Sequence, residues 1–293
     1  MSDWESYLKN NSEKFVSELI EFVNIPSVSA DLSYKEDVRK AGMWVANRLK
    51  TAGAENVKVM ETGGHPVVYG DWLHAGPEKP TIMIYGHFDV QPADPFELWD
   101  SDPFDAKIKD DIIYGRGASD DKGGMLIPIL SFEALLTSNG SLPVNVKFFF
   151  EGQEEILSPQ LPEFVAKHKS LLTCDMLFSA DGLQWAADEA MMVMGLKGLV
   201  GIEIELKGPK GDQHSGLHGG AIQNPIMSLS HLIASMKNTD GRITVDGFYD
   251  DVLELLDDEK EEIAAVPYHE ENYKKELGVC ELFGEPGYTT RER

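Results

Sequence analysis

The sequence has 293 residues, of which 42% are hydrophobic, and its formal net charge is −24. This composition is typical of a folded chain with one large domain or two ordinary ones. The negative charge disfavours nucleic acid and anionic membranes as partners, because both attract clustered lysine and arginine. The first residues do not resemble a secretion signal, and the apolar runs are too short for a membrane helix. With only two cysteines, we expect a reduced, cytoplasmic protein.

The pattern of apolar residues predicts alternating helices and strands. Two helices are predicted first, over Trp4–Val23 and Tyr34–Ala54. One face of the second helix is predicted to carry Val38, Met43, Val45 and Leu49. Strands are then predicted over 57–60, 66–72, 81–87, 144–150 and 176–180, with helices over 123–139 and 161–172. The predicted fold class is therefore α/β, with a mixed, mostly parallel sheet covered by helices on both faces.

Composition changes near Gly195, which predicts a domain boundary there. Residues 198–208 alternate like an exposed antiparallel strand, a long helix is predicted over Pro225–Asn238, and an acidic amphipathic stretch covers Asp250–Ala265. We therefore expect one domain over 1–194 and the beginning of an α+β domain over 195–293.

Chemically capable residues recur where the predicted strands end. The strand over 81–87 leads into His87 and Asp89, and a glycine-rich turn carries Asp120 and Asp121 before a helix. We expect the Asp89 carboxylate to accept a hydrogen bond from the second ring nitrogen of His87, as partners of metal-bound histidines do. Taken singly, both pairs also fit ordinary capping and turn residues.

Acidic residues also follow the next two predicted strands. The strand over 144–150 leads into Glu151, Glu154 and Glu155, and the last strand precedes Asp181. Like charges this close are costly unless a cation neutralises them or one carboxyl group stays protonated. A solvated acidic loop is the alternative interpretation of the glutamates.

The spacing of these residues predicts that they meet. His87, Asp120, Glu154 and Asp181 are separated by 33, 34 and 27 residues, roughly one strand–helix unit each. Ligands of open α/β sheets bind beyond the carboxyl ends of the strands, so we expect one shared site at that edge. Carboxylates combined with imidazole favour zinc, manganese or cobalt.

Four motifs occur in order along the chain: YGHFDVQP, GRGASDDKG, EGQEE and GDQHSG. They resemble the co-catalytic zinc peptidases of the carnosinase, acetylornithine deacetylase and succinyl-diaminopimelate desuccinylase type. The DVQP motif and the acidic, tryptophan-containing loop after it are most similar to the dipeptidase branch.

The resemblance implies a role for each matched residue. The implied metal ligands are His87, Asp120, Glu155 and Asp181. Asp120 would bridge two Zn²⁺ ions, with Mn²⁺ or Co²⁺ as alternatives, and its peptide bond to Asp121 would be cis. Asp89 would orient His87, and Glu154 would be the general base. His214 would stabilise the oxyanion in the active site of a partner subunit.

The resemblance also implies the reaction. A water molecule that bridges the metals and is deprotonated by Glu154 would attack the amide carbonyl. In this family an aspartate at the position of Asp181 accompanies dipeptidases and aminopeptidases, which favours a dipeptide substrate over an N-acyl amino acid. Residues 1–194 would be the catalytic domain and 195–293 the beginning of a lid and dimerisation domain, an arrangement that allows a homodimer.

Family members are longer, and their last zinc ligand is a histidine near the C-terminus. His218, His231 and His269 are unconvincing replacements for it, so we expect one metal site with three protein ligands and a second with only Asp120 and Glu155. Two alternatives remain open: an N-acyl amino acid deacylase, and an inactive or split-gene product that keeps only a binding or dimerisation role.

Overall fold

The computed structural model describes residues 2–182, 184, 191–193, 196 and 198–292. Two compact units divide the chain, Met1–Leu196 and Lys197–Arg293. Gly195, where the sequence predicts a boundary, lies outside the described residues. Every helix in the described part of the chain is too short or too polar to cross a membrane.

The first unit alternates helices with strands. Its helices are α1 (Asp3–Asn10), α2 (Ser12–Val23), α3 (Lys35–Ala52), α4 (Lys122–Asn139), α5 (Leu161–Lys167) and α6 (Lys169–Leu172). Its strands are β1 (Glu55–Met60), β2 (Val67–Trp72), β3 (Thr81–His87), β4 (Lys107–Lys109), β5 (Ile112–Tyr114), β6 (Asn145–Glu151) and β7 (Met176–Ser179). The short β4–β5 hairpin is an element that the sequence pattern did not predict.

Five of these strands form a mixed sheet in the order β1-β2-β6-β3-β7. The β1–β2 and β2–β6 pairs are antiparallel, whereas β3 pairs in parallel with both β6 and β7. The carboxyl ends of β3, β6 and β7 therefore lie at one edge of the sheet. In this register His87, the last residue of β3, stands opposite Glu151, the last residue of β6.

Helices pack on both faces of this sheet. Alternate residues of each strand point to opposite faces, so each strand contributes to both layers of packing. On one face, Val68, Phe148 and Phe150 belong to the main buried cluster, which also contains residues of α3 and α4. On the other face, Val67, Met83 and Phe149 pack with Phe164 of α5. The strands that carry the edge residues are thus held by packing from both sides.

Several details of the predicted helices are wrong, and the helix predicted over 161–172 is one of them, because it is divided at His168. The helix predicted over Trp4–Val23 is divided at Asn11, whose side-chain amide donates to the carbonyl of Tyr7 at 2.8 Å. Such local bonds let asparagine compete with helix continuation. Met43 is 52% exposed on α3, because it lies five residues from Val38, well round the helix from the buried face.

A buried ionic cluster joins the first four helices. Arg48 of α3 pairs with Glu133 of α4 and, at 3.0 Å, with Glu18 of α2. The Tyr7 hydroxyl of α1 donates to Glu133 at 2.6 Å, and Lys14 lies 3.6 Å from the same carboxylate. Burial would raise the pKa of Glu133, but the hydrogen bonds from Tyr7 and Arg48 and the nearby charges lower it overall.

Glu133→Gln should therefore destabilise the protein near neutral pH. Removing one partner of a buried pair costs about 3 kcal/mol, and here Arg48 loses one of its two carboxylate partners, Glu18 being the other. Because the folded-state pKa of Glu133 is below its ordinary value, its stabilisation is present above pH 4.5 and is lost as pH falls through the folded pKa. Urea unfolding at pH 7 and pH 3 checks this, with the exposed Glu36→Gln as the control. An equal difference between wild type and Glu133→Gln at both pH values would contradict it.

The second unit contains short helices and little buried surface. They are α7 (Ser215–His218), α8 (Pro225–Ser235), α9 (Asp257–Ala265) and α10 (Glu270–Leu277). Among its described residues only Gly241 is buried. The strand predicted over 198–208 is wrong: these residues are almost all exposed and form no strand. An extended segment needs a neighbour to satisfy its backbone groups as a strand, and alternation in sequence does not supply one.

Polar contacts join the segment that follows α8 to the later part of this unit. Arg242 pairs with Glu285 at 2.7 Å and lies 4.0 Å from the centre of the Tyr249 ring. The Tyr249 hydroxyl donates to the other Glu285 oxygen at 2.8 Å. The helix predicted over Pro225–Asn238 ends earlier, at Ser235.

Candidate metal centre

The predicted site residues meet where β3, β6 and β7 end. His87 closes β3, Glu154 and Glu155 begin a 3₁₀ turn directly after β6, and Asp181 follows β7. Asp120 lies in the turn before α4, and its peptide bond to Asp121 is cis, as the resemblance implies. The edge predicted from the strand-end spacing is thus the edge at which these side chains converge.

Three of these residues form a group with metal-ligand geometry. One ligand atom each from His87, Asp120 and Asp181 lies within 4.8 Å of the others. From His87 Nε2, Asp120 Oδ1 is at 3.0 Å and Asp181 Oδ2 at 3.8 Å. One imidazole nitrogen with two carboxylates is a donor set that suits a divalent zinc-like ion with open positions. The fit is therefore good for one metal ion.

The surroundings of His87 fix the ring for such a role. The side chain is 1% exposed, and its Nδ1 lies 3.1 Å from the backbone carbonyl of Asp89. An Nδ1 proton donated to that carbonyl leaves the Nε2 lone pair facing Asp120 and Asp181. The Asp89 carboxylate, which the sequence predicted as this acceptor, lies 3.5 Å from the same nitrogen, somewhat farther than the carbonyl.

The Asp89 carboxylate also holds the turn after β6. Its two oxygens accept the backbone N–H groups of Glu154 and Glu155, each at 3.1 Å. Asp89 itself is fully buried. These bonds place the Glu154 carboxylate 4.0 Å from His87 Nε2. Asp89 therefore links the histidine of one strand end to the glutamates of the next.

The site has an excess of negative charge. Burial, followed by the charges of Glu155, Asp181 and Asp89, raises the pKa of Glu154, although His87 lowers it. Burial and the charge of Asp120 likewise raise the pKa of Glu155. A raised carboxyl pKa means that the anionic form lacks compensating charge. A bound cation would supply that charge.

The same negative charges act on the histidine, where they stabilise the protonated ring. Burial alone would lower the pKa of His87, but the hydrogen bond and charge of Asp89 and the charges of Asp121 and Asp181 raise it to about 10. The surrounding carboxylates thus favour positive charge on or beside this ring. A proton supplies it in the metal-free protein, and a metal ion on Nε2 would replace that proton.

Asp121 supports the backbone below the site. It is 1% exposed, and its Oδ2 accepts the N–H of His87 at 3.0 Å. Burial raises the pKa of Asp121 to about 7. Two glycines make room for it: a Cβ on Gly86 would lie 2.6 Å from Asp121 Oδ2, and one on Gly124 would lie 2.2 Å from its Oδ1. Gly86 and Gly124 thus allow close packing around this carboxyl group.

Lys122 is a buried cation whose position the sequence analysis missed. It is fully buried, and its ammonium group donates to the carbonyls of Phe22 at 3.0 Å and Ile25 at 2.6 Å. Burial lowers its pKa to about 7 despite the nearby Asp89 charge. Lys122 therefore ties the start of α4 to the end of α2. The feature of the sequence that could have indicated this role is the position of Lys122 directly after Asp120 and Asp121.

Besides Asp89 and Glu154, two more predicted site residues lie outside the three-donor group. Glu155 contacts Gln91, whose side-chain amide donates to its carboxylate at 2.8 Å. His214 belongs to the second unit, where its Nδ1 accepts the N–H of Gly216 at 3.1 Å. The role of each remains a prediction.

Comparison with known proteins now bears on this geometry. Residues 83–249 match the model of peptidase family M20/M25/M40, and that segment contains every residue of the candidate site. This chain belongs to that family.

Individual peptidases are also similar to this chain. The chain is 30% identical over 300 residues to the Cys-Gly metallodipeptidase of Schizosaccharomyces pombe, covering 98% of this chain and 63% of the relative. It is 32% identical over 288 residues to the Beta-Ala-His dipeptidase of Homo sapiens, covering 93% and 56%. Among solved structures, a metallo-carboxypeptidase from Sulfolobus solfataricus is similar with a TM-score of 0.79 and 34% identity, over 95% of this chain and 61% of that one. The chain thus spans less than two thirds of the length of each.

Calorimetric titration with Zn²⁺ should show one tight equivalent and a second that is at least about tenfold weaker, because three protein ligands converge in one group and Glu155 lies outside it. His87→Ala should abolish the tight event. His74→Ala is the matched control, since that side chain is 57% exposed and pairs with the exposed Glu55, away from the candidate centre. Two equally tight equivalents, or tight binding that survives His87→Ala, would show that the ligand set is wrong.

Proposed function

We propose that this chain is a metal-dependent hydrolase that cleaves the amide bond of dipeptides. The observation that carries the proposal is the group of His87, Asp120 and Asp181 with the Glu154 carboxylate 4.0 Å from the histidine nitrogen. This arrangement combines a site for a Lewis acid with an adjacent carboxylate base. Family membership and the two dipeptidases among the relatives favour peptide bonds as the substrate class.

The geometry supports the ligands of a first ion, and the resemblance implies those of a second. His87, Asp120 and Asp181 would hold the first ion, and Asp120 with Glu155 would hold a second one more weakly. Zinc fits the mixed nitrogen and oxygen donors, and manganese and cobalt also suit them. When bound, such ions polarise the scissile carbonyl and acidify water.

Glu154 would act as the general base and then as the general acid. Its carboxylate takes a proton from the attacking water and later passes that proton to the leaving amine, so that no net proton is lost from the side chain. Burial and neighbouring charge raise the pKa of this carboxyl group towards neutral pH. A group whose pKa is near the working pH transfers protons efficiently in both directions. The Asp89 carboxylate keeps Glu154 in place by accepting the backbone N–H of Glu154.

The second unit would act in a dimer. His214 is the candidate for stabilising the developing oxyanion in a partner subunit, and residues 195–293 are the candidate dimerisation and lid region. Preorganised donors of this kind commonly provide a large part of catalysis. The acidic composition and the two free cysteines fit a cytoplasmic protein that acts on a small peptide substrate.

Glu154→Gln should lower kcat for dipeptide hydrolysis by about 10²- to 10⁴-fold, because the amide cannot accept the proton. Zn²⁺ affinity at the first site should stay within about threefold, since Glu154 is not one of its ligands. The matched control is Glu163→Gln, an exposed glutamate of α5 that should keep full activity.

The assay measures free amino acids released from Cys-Gly and Beta-Ala-His, and acetate or succinate released from N-acyl amino acids, with and without added metal. Full activity of Glu154→Gln would refute the base assignment. Release of acetate or succinate in preference to amino acids would instead support the deacylase alternative.

A further inference from the structure

A cavity of about 360 Å³ lies in the first unit, between the start of α3 and the segment that leads from β1 into β2. One wall contains Lys35, Glu36 and Arg39, and the opposite wall contains Glu61 and His65. Pockets that hold small molecules typically begin at about 300 Å³, so this cavity has room for one. None of the residues in its walls is a proposed ligand of the metal centre.

His65 brings an unsatisfied hydrogen-bond acceptor to this cavity. Its side chain is 94% buried, since it is only 6% exposed, and its Nε2 lies 3.0 Å from the backbone carbonyl of Ser29. A carbonyl oxygen only accepts hydrogen bonds, so Nε2 carries the proton and Nδ1 of the neutral ring keeps its lone pair. In the part of the chain that the structure describes, Nδ1 has no hydrogen-bond partner. Buried polar atoms are normally satisfied, so the ring is suited to a ligand that brings an N–H donor.

The opposite wall offers positive charge. Lys35 is the first residue of α3, an 18-residue helix whose N-cap residue, Tyr34, makes no side-chain capping bond. The first N–H groups of a helix lack partners within it and give that end a partial positive charge. Lys35 is exposed, and its ammonium group makes no ion pair with any other described residue. This wall is therefore suited to the carboxylate group of a ligand.

An exposed ion pair connects the two walls. Arg39 Nη1 lies 2.7 Å from Glu61 Oε1, and the two side chains are 47% and 62% exposed. Ion pairs in contact with water contribute little stability, because water solvates both charges. Each partner can therefore exchange this pair for one with a ligand. Arg39 then adds to Lys35 as a partner for a carboxylate, and Glu61 adds to His65 as a partner for an ammonium group.

The balance of charge in the walls indicates the class of ligand. Lys35 and Arg39 are positive, whereas Glu36 and Glu61 are negative. A simple anion would meet two carboxylates here, and a simple cation would meet two positive groups. A molecule with one carboxylate and one ammonium group can form charge-assisted bonds with both sets. Its ammonium group also supplies the donor that His65 lacks.

We propose that this cavity is a binding site for a free amino acid. The carboxylate of the ligand pairs with Lys35 and Arg39 at the start of α3, and its ammonium group donates to His65 Nδ1 and pairs with Glu61. The inference does not depend on the proposed function, because none of these residues takes part in the metal centre. If the chain cleaves dipeptides, the ligand belongs to the same chemical class as the products.

Calorimetric titration of the full chain with L-alanine near neutral pH tests the proposal. We expect one equivalent to bind, and acetate and ethylammonium to bind at least about tenfold more weakly, because each offers only one of the two charges. Lys35→Met keeps the length of the side chain and should weaken alanine binding about tenfold. Lys40→Met is the matched control, since Lys40 is an exposed lysine of the same helix outside the cavity walls. Acetate or ethylammonium that binds as tightly as alanine, or unchanged binding by Lys35→Met, would overturn the proposal.

A second measurement tests the role of His65. In protein with ¹⁵N-labelled histidine, L-alanine should shift the Nδ1 resonance that is absent from His65→Phe, because the lone pair gains a donor. The affinity for alanine should be the same in the presence of EDTA and with one equivalent of Zn²⁺. Binding that requires Zn²⁺ would place the amino acid at the metal centre instead. That result, or an Nδ1 resonance that does not move on saturation with alanine, would refute the proposal.

Discussion

Repulsion among carboxylates around one buried imidazole is the constraint on which the first unit depends. Three strand ends and the turn before α4 deliver these acidic groups to the same edge of the sheet, where His87 is nearly inaccessible. Burial removes the water that would otherwise screen them, and the pKa values of Asp121, Glu151, Glu154 and Glu155 rise accordingly. A fold that gathers like charges in this way is poised to bind a cation.

Directional hydrogen bonds keep this arrangement in place in the metal-free chain. The buried Asp89 carboxylate accepts two backbone N–H groups, and Asp121 accepts the backbone N–H of His87. Charge-assisted bonds of this kind are roughly twice as strong as neutral ones and offset part of the cost of burying an anion. Lys122 compensates less, because its burial lowers its own pKa to about 7. The support therefore comes mainly from backbone N–H dipoles. Because these carry no net charge, the site keeps its net negative charge, which favours a bound cation.

Much of the site could be predicted from the sequence, because strand ends follow from short-range patterns. His87 and Asp181 follow apolar runs, and parallel strands end at a common edge, so their convergence required no knowledge of side-chain conformation. The hydrogen bonds could not be predicted in the same way. That the Asp89 carboxylate accepts the backbone N–H groups of Glu154 and Glu155 depends on the path of two loops, which residue periodicity does not encode. The hydrogen bonds between Gln91 and Glu155 could not be predicted for the same reason.

The errors in the fold have similar causes. Local bonding by Asn11 interrupts a helix whose apolar period continues, and residues 198–208 alternate without a strand beside them. Both patterns describe what a segment favours by itself, whereas pairing and capping depend on its neighbours.

The central claim, that a single imidazole and carboxylate oxygens hold the tight metal ion, is tested most directly by X-ray absorption spectroscopy. Protein loaded with one equivalent of Zn²⁺ should show a shell of nitrogen and oxygen donors at about 2.0–2.2 Å with scattering from one imidazole ring. A sulfur shell at about 2.3 Å, or scattering from two or more imidazole rings, would contradict the assignment of His87, Asp120 and Asp181.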